Sequence, residues 1–270
     1  MNIYSILEKI GDLNTEGSPK TRRESLFGLG SVGKTVVMAA VPFSILSAIP
    51  AVGNAGNTKS INDVLNFALT LEYLEAAFYS MGLKSGVILA EDKAIFAQIS
   101  KHEDAHVAFL TATIKALGGT PVTSPKFDFT ANGAFKPFSA YGDFLALSQG
   151  FEDTGVRAYK GQAGNLMSNN DVLTAALQIH SVEARHASEV RRLRMKNGMD
   201  KENKGWITGA SRGTLPAPTQ AIYDGEDNFM QGGVDLKTIT TFSVDAITEA
   251  FDEPLTDTQT LAIAGLFIVK

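Results

Sequence analysis

The chain has 270 residues, 24 basic against 29 acidic side chains for a net charge of -5, and no cysteine. Hydrophobic residues make up 44% and charged residues 20%, a globular balance that excludes a wholly disordered or fibrous chain. Lack of cysteine excludes disulfides, thiolate metal sites, iron–sulfur clusters and cysteine nucleophiles. The acidic balance argues against a broad nucleic-acid surface, which needs a basic patch, so no nucleic-acid partner is expected.

Residues 1–55 are expected to be an export signal and leader. Lys20, Arg22, Arg23 and Lys34 precede a segment with no charge between Lys34 and Lys59. That segment is apolar, ends in small residues at Gly53-Asn54-Ala55, and is interrupted by Pro42 and Pro50. A cleaved signal fits this layout better than a stable membrane span, so membrane contact is expected only through an uncleaved leader. Thr21-Arg22-Arg23-Glu24-Ser25-Leu26-Phe27 resembles a twin-arginine signal, with Ser25 where that family usually places Phe. The expected destination is outside the cytoplasm, in the periplasm. Gly28-Leu29-Gly30-Ser31-Val32-Gly33-Lys34-Thr35 satisfies the phosphate-loop pattern, yet the charged residues before it cannot form the buried strand such a loop requires. No nucleotide is expected.

From residue 60 the pattern predicts helices. The first spans about 60–82, capped by Ser60 or Asn62, with Leu65, Ala68, Leu69, Glu72, Ala76 and Tyr79 on one stripe and Gly82 and Gly86 ending it. The second spans about 90–117, the third about 138–163, and the fourth runs from near Asp171 to Asn197-Gly198. The connection from about 118 to 137 carries Pro121, Pro125, Gly133 and Pro137, and a loop of that length fits a crossing of the whole domain. Short, long and short connections predict an all-α fold: a four-helix bundle over 56–200 with one long crossover. Residues 201–270 read as an irregular arm packing on the bundle, with short helices at 243–252 and 257–268. There Ala262, Leu266 and Phe267 either cover a bundle face or form a subunit contact in a homo-oligomer. Glu226 is expected to be structural or exposed.

The decisive signal is a displacement of 80 residues. It relates Glu72 to Glu152, Tyr79 to Tyr159, Glu103 to Glu183 and His106 to His186. Each half therefore carries a Glu and, later, a Glu-x-x-His. With 14 Glu and 4 His in the chain, chance predicts roughly 0.2 such Glu-x-x-His matches, and there are two. Residues three apart share a helix face, so each Glu-x-x-His presents a carboxylate and an imidazole to one point. Glu72 and Glu152 fall among apolar positions and should face the interior. Four buried carboxylates would repel, whereas two divalent cations would neutralise them, with the two imidazoles completing the shell. Oxygen and nitrogen donors without sulfur suit iron or manganese. The candidate metal ligands are thus Glu72, Glu103, His106, Glu152, Glu183 and His186.

Three further residues are candidates around the site. Glu75 lies one turn beyond Glu72, as a ligand, a shifting carboxylate or a residue of no special role, and its repeat partner is Gly155. Tyr79 and Tyr159 lie about 10.5 Å along the axis from their own glutamates. They would hydrogen-bond a ligand from a neighbouring helix, carry an electron, or be core aromatics with a satisfied hydroxyl. His102 and His180 have no repeat counterparts and are expected at the surface.

Residues 60–197 resemble the ferritin-like superfamily, whose dinuclear carboxylate site draws one Glu from each of two helices and Glu-x-x-His from each of the others. Leu71-Glu72-Tyr73-Leu74-Glu75-Ala76-Ala77-Phe78-Tyr79, Glu152-Asp153-Thr154-Gly155-Val156-Arg157-Ala158-Tyr159 and Tyr223-Asp224-Gly225-Glu226-Asp227-Asn228 are similar to an exported bacterial branch described as desiccation-related. The resemblance implies two divalent ions, iron or manganese, and redox chemistry with oxygen or peroxide as the partner. A manganese-catalase-like enzyme and a non-catalytic, stress-protective envelope protein are the alternatives.

Overall fold

The computed structural model describes residues 59–269. The segment expected to be an export signal and leader, and the phosphate-loop pattern, lie outside them. Among the described residues no helix is long and apolar enough to cross a membrane.

Four long helices make the bundle: α1 (Ile61–Ser85), α2 (Lys93–Ala116), α3 (Tyr141–Gln162) and α4 (Asn170–Lys196). Helix α1 starts where Ser60 and Asp63 form a reciprocal capping box. It stops at Gly86, whose φ of 82° closes the last turn in the left-handed region. Gly82 does not end the helix, contrary to the sequence expectation. It lies buried within α1, where a Cβ would overlap the Phe144 ring, so its role is close helix packing. Helix α4 is capped by Asn169, which accepts from the Val172 amide at 3.1 Å. Asp92 precedes α2 without capping it. Its carboxylate instead accepts from the Tyr141 hydroxyl and the Lys196 ammonium, both at 2.8 Å, tying α2 to α3 and α4.

Helices α1 and α2 pair as one hairpin and α3 and α4 as another. Phe78, near the end of α1, stacks on Phe144, near the start of α3, with centroids 5.0 Å apart. Tyr159, near the end of α3, packs with Val64 and Leu65 at the start of α1. Thus α1 and α3 are antiparallel, and α2 ends at the opposite end of the bundle from where α3 begins. Helix α2 has 24 residues, so the 117–140 connection must travel roughly 36 Å. That distance is why the crossover is long.

The interior has two apolar clusters. One is aromatic, built on Phe78, Tyr79, Phe96, Phe129, Phe144 and Phe151. The other is mainly aliphatic, with Val64, Leu65, Leu110, Ile114, Val172 and Ile179 around Tyr159. Glu72, Glu103, Glu152 and Glu183, all fully buried, belong to neither.

The C-terminal arm is held to the bundle by buried charge. Arg157 on α3 donates to the Glu253 carbonyl at 2.7 Å and the Asp224 carbonyl at 3.0 Å, and pairs with Glu226 at 2.7 Å. Glu226 is therefore structural. Arg191 on α4 grips Asp153 on α3 at 3.1 and 2.6 Å, and the Tyr223 hydroxyl reaches the same carboxylate at 2.6 Å. The arm also holds a two-stranded hairpin, β1 (Met230–Gln231) and β2 (Val234–Asp235), that the sequence pattern did not reveal. Its helices α5 (Val244–Thr248) and α6 (Asp257–Ala264) are shorter than expected. Phe267 covers a bundle face, 4.9 Å from the Phe151 ring, while Leu266 stays exposed.

Candidate metal centre

The six residues singled out by the 80-residue repeat come together at mid-bundle. They form two sets of donors that could each hold an ion: Glu72, Glu103, His106 and Glu183, and Glu103, Glu152, Glu183 and His186. Within each set the donor atoms lie within 4.8 Å of one another. Glu103 and Glu183 belong to both sets, so the two positions share two carboxylates. Each helix supplies its donors from the inner face, and α2 and α4 supply a carboxylate and an imidazole three residues apart.

The imidazoles sit inside rings of oxygen. His106 Nδ1 lies 3.1 Å from Glu72, 3.0 Å from Glu103 and 3.3 Å from Glu183. His186 Nδ1 lies 2.9 Å from Glu103 and 3.2 Å from Glu152. Those His186 contacts lack hydrogen-bond geometry. His186 Nδ1, Glu103 Oε1, Glu152 Oε2 and both Glu183 oxygens are buried without a hydrogen-bond partner. Buried polar atoms in such number are costly unless something satisfies them. A pair of divalent cations would do so, and the residues present fit that group.

The electrostatics lead to the same conclusion. Burial raises Glu72 to about 7, with His106 acting against it, and raises Glu183 to about 8. Glu152 also moves up because of burial. Burial alone would lower both histidines. Hydrogen bonds donated to Glu103, Glu183 and Glu72 instead carry His106 to about 12, and the charge of Glu152, with Glu103 beside it, carries His186 to about 11.

The two tyrosines reach across the bundle. Tyr79 donates to Glu152 Oε1 and Tyr159 donates to Glu72 Oε1. Both a hydrogen bond to a carboxylate on a neighbouring helix and a place in the apolar core are found, Tyr79 lying in the aromatic cluster and Tyr159 in the aliphatic one. Glu75 is in neither donor set. Its buried carboxyl occupies the space left by its repeat partner: a Cβ on Gly155 would meet Glu75 Oε1 at 3.2 Å and Glu183 Oε2 at 3.0 Å. Burial, then the charges of Glu183, Glu152, Glu72 and Glu103, push Glu75 well above the usual carboxylate range.

His102, expected at the surface, is part of this centre. It is half-buried, and its Nδ1 lies 2.8 Å from His186 Nε2. The available signal was spacing, because Gln98, His102 and His106 recur every four residues along one face of α2. His180 bonds the Val156 carbonyl at 3.0 Å and takes no part in the centre.

The Ferritin-like domain family model matches residues 61–196, just over half of the chain. The chain belongs to the ferritin-like family. No curated protein matches it.

Proposed function

We propose that this protein is a dinuclear iron or manganese protein whose chemistry is redox, with dioxygen or peroxide as the oxidant. The observation that carries the reading is the sharing of Glu103 and Glu183 between two adjoining donor sets. Two ions held that way can share the electrons that reduce an oxygen–oxygen bond. The protein's own part is positional. Glu103 and Glu183 set the spacing of the two positions, Tyr79 and Tyr159 orient Glu152 and Glu72, and the flanking apolar clusters keep water out.

The export reading is part of the proposal and rests first on the signal-like pattern of residues 20–55. The motifs around Glu72, Glu152 and Tyr223 support placing the chain in the exported, desiccation-related branch. Cell fractionation tests this, with the protein expected in the periplasm and with Arg22→Lys, Arg23→Lys expected to retain it in the cytoplasm.

The first test of function is metal content per chain by elemental mass spectrometry after folding with iron(II) and manganese(II) present. Close to two ions, lost in a Glu103→Ala, Glu183→Ala double variant, supports the proposal. A folded chain that takes up neither metal overturns it and favours the stress-protective alternative. Rapid oxygen release from peroxide by the manganese form, without added reductant, would assign the manganese-catalase type rather than a ferroxidase.

A further inference from the structure

The two halves of the centre share their ligand pattern but not what stands behind it. Behind His186 lies a second imidazole. His186 presents Nδ1 to Glu103 and Glu152, and its Nε2 lies 2.8 Å from His102 Nδ1. The two rings are within 9° of parallel with centroids 5.1 Å apart. Two imidazoles joined nitrogen to nitrogen in a common plane have that spacing, so this is an in-line hydrogen bond and not a face-to-face stack. Gln98 continues the line on the exposed surface of α2, with its amide nitrogen 2.7 Å from His102 Nε2.

A cation at His186 Nδ1 would fix the proton positions along this line. An imidazole that gives its Nδ1 lone pair to a cation keeps its proton on Nε2. His186 then donates from Nε2 to His102 Nδ1, which leaves the proton of a neutral His102 on its Nε2; Gln98 accepts that proton's bond once its amide is turned so that the oxygen faces the ring. The other half has no such line. The repeat places Val182 where His102 stands, and valine cannot accept a bond from His106.

We infer that His102 is a positioning residue that holds His186 in its metal-binding tautomer and makes the metal position served by His186 the tighter of the two. This rests on the dinuclear reading above. Outer partners of metal-binding histidines typically change affinity by 10- to 100-fold, so an asymmetry of about that size is expected.

The test is a cobalt(II) titration of the full chain, followed by calorimetry and by visible absorption. The unaltered protein should bind two ions in two separated steps. His102→Ala should weaken one step by about 10- to 100-fold and draw the two together, while His102→Gln, whose amide oxygen can accept the same bond, restores the separation. The affected position is identified by background. With Glu72→Gln, which spares the His186 set, His102→Ala should weaken the remaining ion. With Glu152→Gln, which spares the His106 set, it should leave the remaining ion unchanged. A merely structural role would weaken both backgrounds alike. Should His102→Ala fail to fold, His102→Val, which copies the residue at the matching place in the other half, carries the same test. Equal effects in both backgrounds, or none, overturn the inference and leave the dinuclear centre standing. An unaltered protein that binds no cobalt overturns both.

Discussion

The Tyr79 hydroxyl donates to Glu152, and not to Glu72 on its own helix. Tyr159 returns the relation by donating to Glu72. Each hairpin of the repeat thus orients the other's carboxylate, and neither half of the site is complete alone. Burial, then the adjacent carboxylates, push both phenols well above their ordinary value, so both remain donors. Tyr79→Phe should weaken the ion held by the Glu152 and His186 set, and Tyr159→Phe the ion held by the Glu72 and His106 set. A hydrogen bond to a charged group contributes about 1.5–3 kcal/mol, so each loss should be roughly 10- to 100-fold in affinity. Calorimetric metal titration checks this, and an effect confined to the tyrosine's own helix would contradict it.

The shared carboxylates should differ from the others in stoichiometry. Glu103→Gln or Glu183→Gln removes a donor from both sets, so each should cost both ions at limiting metal. Glu72→Gln or Glu152→Gln removes a donor from one set and should leave close to one ion per chain. Elemental analysis after gel filtration distinguishes these outcomes.

Proton release from the cluster sets a pH dependence for the metal-free protein. Glu72 and Glu183 rise from 4.5 to about 7 and about 8 on folding, while His106 and His186 rise from 6.5 to about 12 and about 11. All four are raised, so the folded chain binds more protons than the unfolded one. Their stabilisation is complete below the unfolded values and is lost as pH climbs through the folded ones. The melting temperature without metal should therefore fall between about pH 5 and about pH 9. Metal binding needs the deprotonated ligands, so stabilisation by added metal should grow over the same range. Differential scanning calorimetry with and without manganese(II) measures both trends, and a metal-free melting temperature that rises with pH would contradict the first.

Gly161→Ala tests how the arm is seated. In an exposed helix interior this change would stabilise by about 1 kcal/mol. Here a Cβ would overlap the Leu255 carbonyl oxygen, beside the 3.0 Å bond from the Leu255 amide to the Arg157 carbonyl. Overpacking against backbone costs about 1–3 kcal/mol, so the substitution should destabilise on balance. Urea denaturation reads the sign, and faster amide exchange at Leu255 than at Leu145 would show that the arm loosens before the bundle.

Much of this protein was legible before its fold was known, because the strongest signals are local or repeated. The fixed three-residue step of Glu103 to His106 and of Glu183 to His186 places both groups on one helix face wherever that helix goes. The recurrence at 80 residues then marked Glu72 and Glu152 and implied two hairpins. The long crossover followed from loop length, and side-chain chemistry narrowed the first cap to Ser60 or Asn62, of which the structure uses Ser60.

Other features depend on which helices meet. Gly82 has the sequence character of a helix end, and only the Phe144 ring lying across it makes it an interior residue. Glu75 and Gly155 are 80 apart and unlike, and only the packing of α1 on α3 gives the carboxyl the space where the side chain is missing. His102 gains its role from His186, 84 residues away on another helix. The sequence by itself determined the donor types and their spacing, since helical geometry depends on neighbours along the chain. The tertiary structure decided which tyrosine serves which glutamate and which histidine has another behind it, because those partners are chosen by contact across the bundle.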